Sequence, residues 1–249
     1  MQKWWMVAAL AAAVAGAQDF RWAGVLNAGQ KVEIKGINGN IKAARATGAQ
    51  VEVTAVKSGR DAANVKVEAH PHNGGVTVCA VYPGEGNACG PGRDGKARTE
   101  NNDARVDFTV AVPAGVLLRA NTVNGTIEVE DVGDVRGATV NGNIRALGVG
   151  LAELSSVNGN VEAELGRTPD RALKFSTVNG NIDVRVSGTL NADVKASTVS
   201  GQIQTDLPLA VKKGIVGQAL NGTLGNGGPE MKLSTVNGSV SLRGGGRSI

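Results

Sequence analysis

Eight times along this 249-residue chain an apolar residue, a small polar residue and a glycine are followed by a polar and then another apolar residue. The copies start at Ile37, Val123, Val140, Val157, Val178, Val199, Leu220 and Val236; a typical one is Val178-Asn179-Gly180-Asn181-Ile182. From the second copy on, their glycines stand 17, 17, 21, 21, 21 and 16 residues apart, which marks one supersecondary unit stacked on itself.

Aligned on the glycine, the seven later copies separate by chemistry. Seven residues before it stand Leu118, Val135, Ala152, Leu173, Val194, Ile215 and Met231, and five before it Ala120, Gly137, Leu154, Phe175, Ala196, Gly217 and Leu233. The column between them is mostly charged, so apolar and polar positions alternate as in a strand with one buried face. A second strand comes after the glycine, with Ile127, Ile144, Val161, Ile182, Ile203, Leu224 and Val240 two positions beyond it.

Asn-Gly is also the strongest short hairpin signal. A two-residue hairpin would pair Val178 with Asn181 and Thr177 with Ile182, mixing apolar and polar residues on each face. A corner instead turns Val178 and Ile182 into one interior. The pattern therefore favours an all-β, single-stranded parallel β-helix (solenoid) with coils of about 16–21 residues over a meander or sandwich. The scarcity of aromatics after the leader (Phe20, Trp22, Tyr82, Phe108 and Phe175) fits a thin solenoid filled by aliphatic residues. Stacked in register about 4.8 Å apart, Asn124, Asn141, Asn158, Asn179, Asn221 and Asn237 would form a structural ladder, interrupted once by Ser200. Thr122, Thr139, Ser156, Thr177, Thr198 and Thr235 would run beside it. The change from 17 to 21 residues falls between the second strand and the next unit, as in 165–171, which is the side where a repeat protein carries its variation.

Residues 1–17 have the form of a secretory signal: Lys3, an apolar stretch over 4–14, and Ala15-Gly16-Ala17 as a cleavage site. The apolar stretch is shorter than the roughly 20 residues a membrane-spanning helix needs, so no transmembrane segment is expected. Residues 18–243 are expected to form one solenoid domain, extracytoplasmic (periplasmic or secreted). Residues 18–113 are its irregular N-terminal part and 114–243 its regular Asn-Gly repeats. Residues 31–44 already show the unit, with Val32, Ile34, Ile37 and Ile41 inward, and the alternating runs 51–56, 65–69, 76–81 and 105–112 are candidates for early coils. Residues 83–103 read as an excursion loop and 244–249 as a flexible tail. The two cysteines, Cys79 and Cys89, read in an exported chain as a disulfide worth roughly 2–3 kcal/mol.

The formal net charge is +4, a small excess with no basic block, which argues against nucleic acid as partner. No nucleophile motif, phosphate loop, zinc signature or calcium nonapeptide occurs, and no metal or other cofactor is expected. His70 and His72 are the only histidines. An enzyme is not the expectation; the alternative is a polysaccharide lyase or hydrolase using Glu162 and Asp183 on neighbouring coils. The candidate binding feature is a basic stripe, Arg119, Arg136, Lys174, Lys195 and Lys232, broken by Glu153 and Val216. Its natural partner is an acidic polysaccharide or another anionic component of the cell envelope.

The repeated S-T-V-N-G-x-I/V unit, preceded by the run R-V-D-F-T-V-A-V-P-A-G-V at 105–116, resembles the bacterial putative-adhesin family of β-strand repeats. Gly36-Ile37-Asn38 is also similar to the Gly-Ile-Asn motif that names the head domain of autotransporter adhesins. The resemblance implies a β-repeat fold and a non-enzymatic interaction or envelope-scaffold role, and carries over no functional residues.

Overall fold

The computed structural model describes residues 19–84, 87–92, 102–166, 169–188, 190–214 and 217–245. The expected leader and residues 246–249 of the expected tail lie outside them. Among the described residues, apart from one 3-10 turn at Ala62–Asn64, the regular structure is all β. The strands begin with β1 (Phe20–Val25), β2 (Lys31–Lys35), β3 (Ile41–Arg45), β4 (Gln50–Ser58), β5 (Lys66–His72), β6 (Gly75–Val81) and β7 (Arg105–Val112). The repeat region supplies β8 (Leu117–Asn121), β9 (Ile127–Glu130), β10 (Asp134–Asn141), β11 (Ile144–Val149), β12 (Leu151–Asn158), β13 (Val161–Leu165), β14 (Leu173–Asn179) and β15 (Ile182–Ser187). The last are β16 (Ala192–Ser200), β17 (Ile203–Thr205), β18 (Val211–Lys213), β19 (Gln218–Leu224), β20 (Glu230–Asn237) and β21 (Val240–Gly245).

These strands form two long mixed sheets. Sheet A has ten strands in the order β1-β4-β7-β3-β9-β11-β13-β15-β21-β17, and sheet B eleven in the order β18-β19-β16-β20-β14-β12-β10-β8-β2-β6-β5. A typical rung runs along sheet B, turns at Asn-Gly and returns along sheet A. Rung on rung the pairing is parallel and residue-matched, as in Gly137 beside Leu154 and Ile144 beside Val161. The inward residues of both sheets make one continuous apolar cluster, with Phe108, Phe175, Leu118, Ile127 and Ile182 essentially without solvent contact.

The Asn-Gly step is a corner, not a hairpin tip. Among the described residues the only non-glycine with positive φ is Asp131, so none of these asparagines takes the conformation a type I′ turn demands. Glycine is required by proximity. A Cβ on Gly142 would lie 2.0 Å from the Gly125 carbonyl oxygen, and one on Gly159 2.0 Å from that of Gly142.

The valine before Asn-Gly, expected to point inward, faces solvent: Val178 is 41% exposed, and Val140, Val157, Val199 and Val236 are similar. Strict alternation from Leu173 and Phe175 continues instead through Thr177, which is buried. A threonine can occupy that place because its hydroxyl is satisfied: Thr177 Oγ1 donates to the Gly159 carbonyl at 2.8 Å, and Thr198 and Thr235 donate in the same way to Gly238 and Gly180.

The rungs also do not stack in chain order. The last one, β20 with β21, inserts between β14/β15 and β16/β17, pairing with both in parallel. The seventh copy of the repeat makes no corner. Its strand β19 runs straight through Asn221-Gly222 and antiparallel to β16, placing Asn221 opposite Lys195. The early runs divide likewise. β6 and β7 join the stack beneath β2 and β3 in parallel, whereas β4 and β5 are antiparallel strands near the N-terminal end of the stack. Gly244 and Gly245, expected in the tail, pair with Val186 and Ser187 as the end of β21.

Candidate binding face

Residues that alternate outward along sheet B form columns across the rungs. In the repeat rungs the column nearest the strand starts contains Leu117, Asp134, Asp193 and Glu230, with the buried Leu151 in register beside Asp134. Next to it runs the expected basic stripe, then a file of small polar or apolar residues, then the exposed valines, and finally the asparagines at the corner.

The pairing register settles how the stripe is built. Arg119 lies beside Glu33 on one side and Arg136 on the other; Arg136 adjoins Glu153, which adjoins Lys174. Lys174 then adjoins Lys232, and Lys232 adjoins Lys195. Val216 lies outside the described residues. The structure thus brings the three lysines onto consecutive rungs, in an order the chain order hides.

The two halves of the stripe differ electrostatically. Arg119 reaches Glu33 at 3.4 Å and Arg136 reaches Glu153 at 3.5 Å. Glu33 is only 1% exposed, yet Lys31 and Lys35 also approach it, at 3.7 and 3.8 Å, and the Thr77 hydroxyl donates to it at 3.2 Å. That convergence of cations is what makes a buried carboxylate tolerable. Lys35 donates in addition to the Gly90 carbonyl at 3.1 Å, next to the Cys79–Cys89 disulfide, whose Cα atoms lie 5.6 Å apart. In the lysine half, Lys195 pairs with Glu230; their hydrogen bond raises the lysine's pKa and lowers the glutamate's. Lys174 and Lys232 are exposed and, among the described residues, have no acid within ion-pairing distance.

A hollow of about 230 Å³ opens over the start of β8, β10 and β12, lined by Lys31, Leu117, Arg119, Arg136 and Arg171 among others. A second of about 250 Å³ continues it along the file of small residues, between Arg119 and Arg136 on one side and Asn121, Ala138 and Ser155 on the other. Lys31, Glu33 and Arg171 were not singled out from the sequence. Glu33 carries a signal, since Val32 and Ile34 flank it as apolar residues flank Arg119, but it shows only when the first copy is aligned with the later ones. Arg171 comes from a segment between rungs and reaches Asp134 at 3.1 Å, a contact with no periodic trace.

The asparagine ladder exists, with changed membership. Side-chain amides of Asn124, Asn141, Asn158, Asn179 and Asn237 each donate to the carbonyl oxygen of the preceding asparagine in the stack at 2.8 Å, beginning from Asn38. Asn221 is not part of it, and Ser200 stands beside Asn237 at its end. A second ladder was not expected: Asn40, Asn143, Asn160 and Asn181 each accept a backbone N–H from the next rung at 2.8 to 2.9 Å. Both ladders tie successive corners together through side-chain amides.

The carboxylates of the enzymatic alternative sit in sheet A. Glu162 and Asp183 are neighbours as expected, but Arg145 reaches Glu162 at 3.3 Å and Arg185 reaches Glu162 and Asp183 at 3.9 and 3.8 Å. His70 contacts Glu68 and His72 contacts Thr77, so the histidines do not converge. Among the described residues no group of three or more His, Cys, Asp or Glu is arranged to hold a metal, and no helix is long and apolar enough to cross a membrane.

A family model described as Toastrack DUF4097 matches residues 24–243. The chain belongs to the Toastrack DUF4097 family. This Toastrack chain is similar in structure to a putative cell adhesion protein from Clostridium sporogenes, with a TM-score of 0.51 at 10% identity over 90% of this chain and 99% of that one. A putative adhesin from Bacteroides fragilis gives a TM-score of 0.38 at 12% identity, over 90% of this chain and 96% of that one. Another from Parabacteroides merdae gives 0.34 at 10%, over 92% and 97%. No curated protein matches in sequence. At 10% identity the likeness to the Clostridium sporogenes protein concerns the fold.

Proposed function

We propose that this Toastrack chain is an exported, non-catalytic β-solenoid that acts as an adhesin-like interaction scaffold. Its contact surface is the outer face of sheet B, and its partner an acidic polysaccharide of a cell envelope. The carrying observation is the run Lys174, Lys232 and Lys195 on consecutive rungs, two of them with no acid within ion-pairing distance among the described residues. Unpaired cations in file repel one another, and an external polyanion relieves that repulsion.

Export is supported by the form of residues 1–17 and by the disulfide, which persists in oxidising compartments. A non-catalytic role is supported by the arginine-bound state of Glu162 and Asp183. The name of the Clostridium sporogenes relative and the resemblance at Gly36-Ile37-Asn38 to an adhesin head domain belong to the same reading.

Retention of the leaderless protein on immobilised polyuronate or sulfated polysaccharide tests this reading. Binding is expected at low ionic strength and should weaken steeply with salt, since exposed charges are screened within about 10 Å at 0.1 M. Failure to bind either polymer at any ionic strength would remove the proposal.

A further inference from the structure

Three rungs of sheet B carry the same outward triplet: Lys174, Ser176 and Val178; Lys232, Ser234 and Val236; Lys195, Ser197 and Val199. They are contiguous only because the C-terminal rung inserts between the other two. Lysine then lies beside lysine and serine beside serine on both sides of β20. The valines are 41, 42 and 53% exposed. Among the described residues none of the three serine hydroxyls makes a side-chain hydrogen bond, so the face offers a file each of ammonium groups, free hydroxyls and methyl groups.

We propose that this three-by-three array is a binding subsite for a linear polyanionic polysaccharide lying across the strands, along the stack. The inference rests on the anionic-partner reading. Each rung places one acid group on a lysine, one hydroxyl against a serine and a ring's C–H face on a valine. Rungs repeat about every 4.8 Å, close to the advance per sugar of an extended chain, so successive sugars meet equivalent groups.

The array has defined ends. Glu153 lies beside Lys174 and repels an anion there, and beyond Lys195 the next strand runs antiparallel and offers Asn221. The site therefore accommodates three acidic units. A strip of this width also distinguishes a chain from a membrane. Asp193 and Glu230 border the lysines on the same face, and a sheet of anionic headgroups would be pressed against them, whereas a single chain lies over the lysines, serines and valines and clears the two acids.

The test is calorimetric titration of the full mature protein with oligogalacturonates of increasing length at low salt. The triple variant Lys174→Ser, Lys195→Ser, Lys232→Ser is compared with a control that removes as many cations from sheet A, Lys42→Ser, Arg185→Ser, Arg243→Ser. Melting curves of all variants establish that each is folded. Affinity should rise with length up to three acidic units and then level off. It should fall at least about tenfold, or 1.4 kcal/mol, in the lysine variant, hold in the control, and return when all three lysines are replaced by arginine.

Equal binding by wild type and lysine variant, with loss in the control, overturns the subsite while leaving the anionic-partner reading intact. No binding of any oligogalacturonate or sulfated polymer by the wild type overturns both. Capture by phosphatidylglycerol vesicles without oligogalacturonate binding overturns the polysaccharide in favour of a lipid surface.

Discussion

The two edges of the stack handle the same task, carrying the chain between sheets, in opposite ways. At the corner edge nearly every rung repeats one solution: a buried threonine or serine, an outward valine, a laddered asparagine and a glycine pressed against the glycine of the next rung. At the return edge the solutions differ. Asp131 with positive φ leads into Gly133, Gly148 into Gly150, and longer segments bridge Leu165 to Leu173 and Ser187 to Ala192. The corner holds backbone against backbone, so its geometry leaves no freedom. The return edge spans a gap, and lengthening a flexible connection costs only about 0.6 kcal/mol per doubling. Spacing therefore varies from 17 to 21 residues on that side alone.

Alanine in place of glycine breaks or confirms this contrast most directly. In Gly159→Ala the new Cβ would stand 2.0 Å from the Gly142 carbonyl oxygen, a backbone atom held by the rung pairing. Relief requires separating the rungs, and the expected loss is about 3 kcal/mol or more. In Gly133→Ala the Cβ meets nothing within 4 Å and φ is not positive, so stability should change by less than about 0.5 kcal/mol. Urea denaturation of the two variants measures both values; similar losses would show that the corner is no tighter than the return edge.

The same contrast explains what could be read from residues alone. Repetition of Asn-Gly marked the corner, because a requirement identical in every rung leaves an identical trace, and alternation at Leu173 and Phe175 marked the inward face. The direction of Val178 did not follow. Its hydrophobicity argued for burial, while alternation argued for Thr177, and a hydroxyl bonded to a carbonyl is as acceptable inside as a methyl group. The order of the rungs left no trace either. Copies at 173–182, 194–203 and 231–240 share inward apolar residues, the threonine and the glycine, with Ser200 in place of the asparagine in the middle one, so their spacing does not fix which neighbours which, and the glycine-rich stretch 225–228 lets the chain cross. The lysine run at the candidate site was hidden for that reason. Asn221 was distinguishable in principle, since its copy alone among the seven later ones has an alanine, Ala219, where the others carry the inward threonine or serine.

Replacement of the buried hydroxyl sharpens the account of the corner at intermediate cost. Thr177→Val keeps the volume and removes the donor to the Gly159 carbonyl, for an expected loss of about 1 kcal/mol. In a chain of this size that lowers the melting temperature by about 2–4 °C. Thr177→Ser retains the donor, as Ser156 does with Gly142 at 2.9 Å, and should keep most of the stability. A valine variant more stable than wild type would mean that the corner is held by packing and not by these bonds.

The smallest expected effect is the most diagnostic of which side of the strand is dry. Val178→Asp places a charge on a residue that is 41% exposed, two positions along the same face from Ser176 and across from no acid in the neighbouring rungs. The carboxylate remains hydrated, so only the modest strand preference of valine is lost, and the expected change is about 0.5 kcal/mol. An inward valine would respond differently, because an unpaired charge in an apolar interior costs several kcal/mol. A drop of that size in thermal unfolding would return Val178 to the core and place Thr177 outside it. The valine file of the proposed subsite would then no longer be available to a ligand.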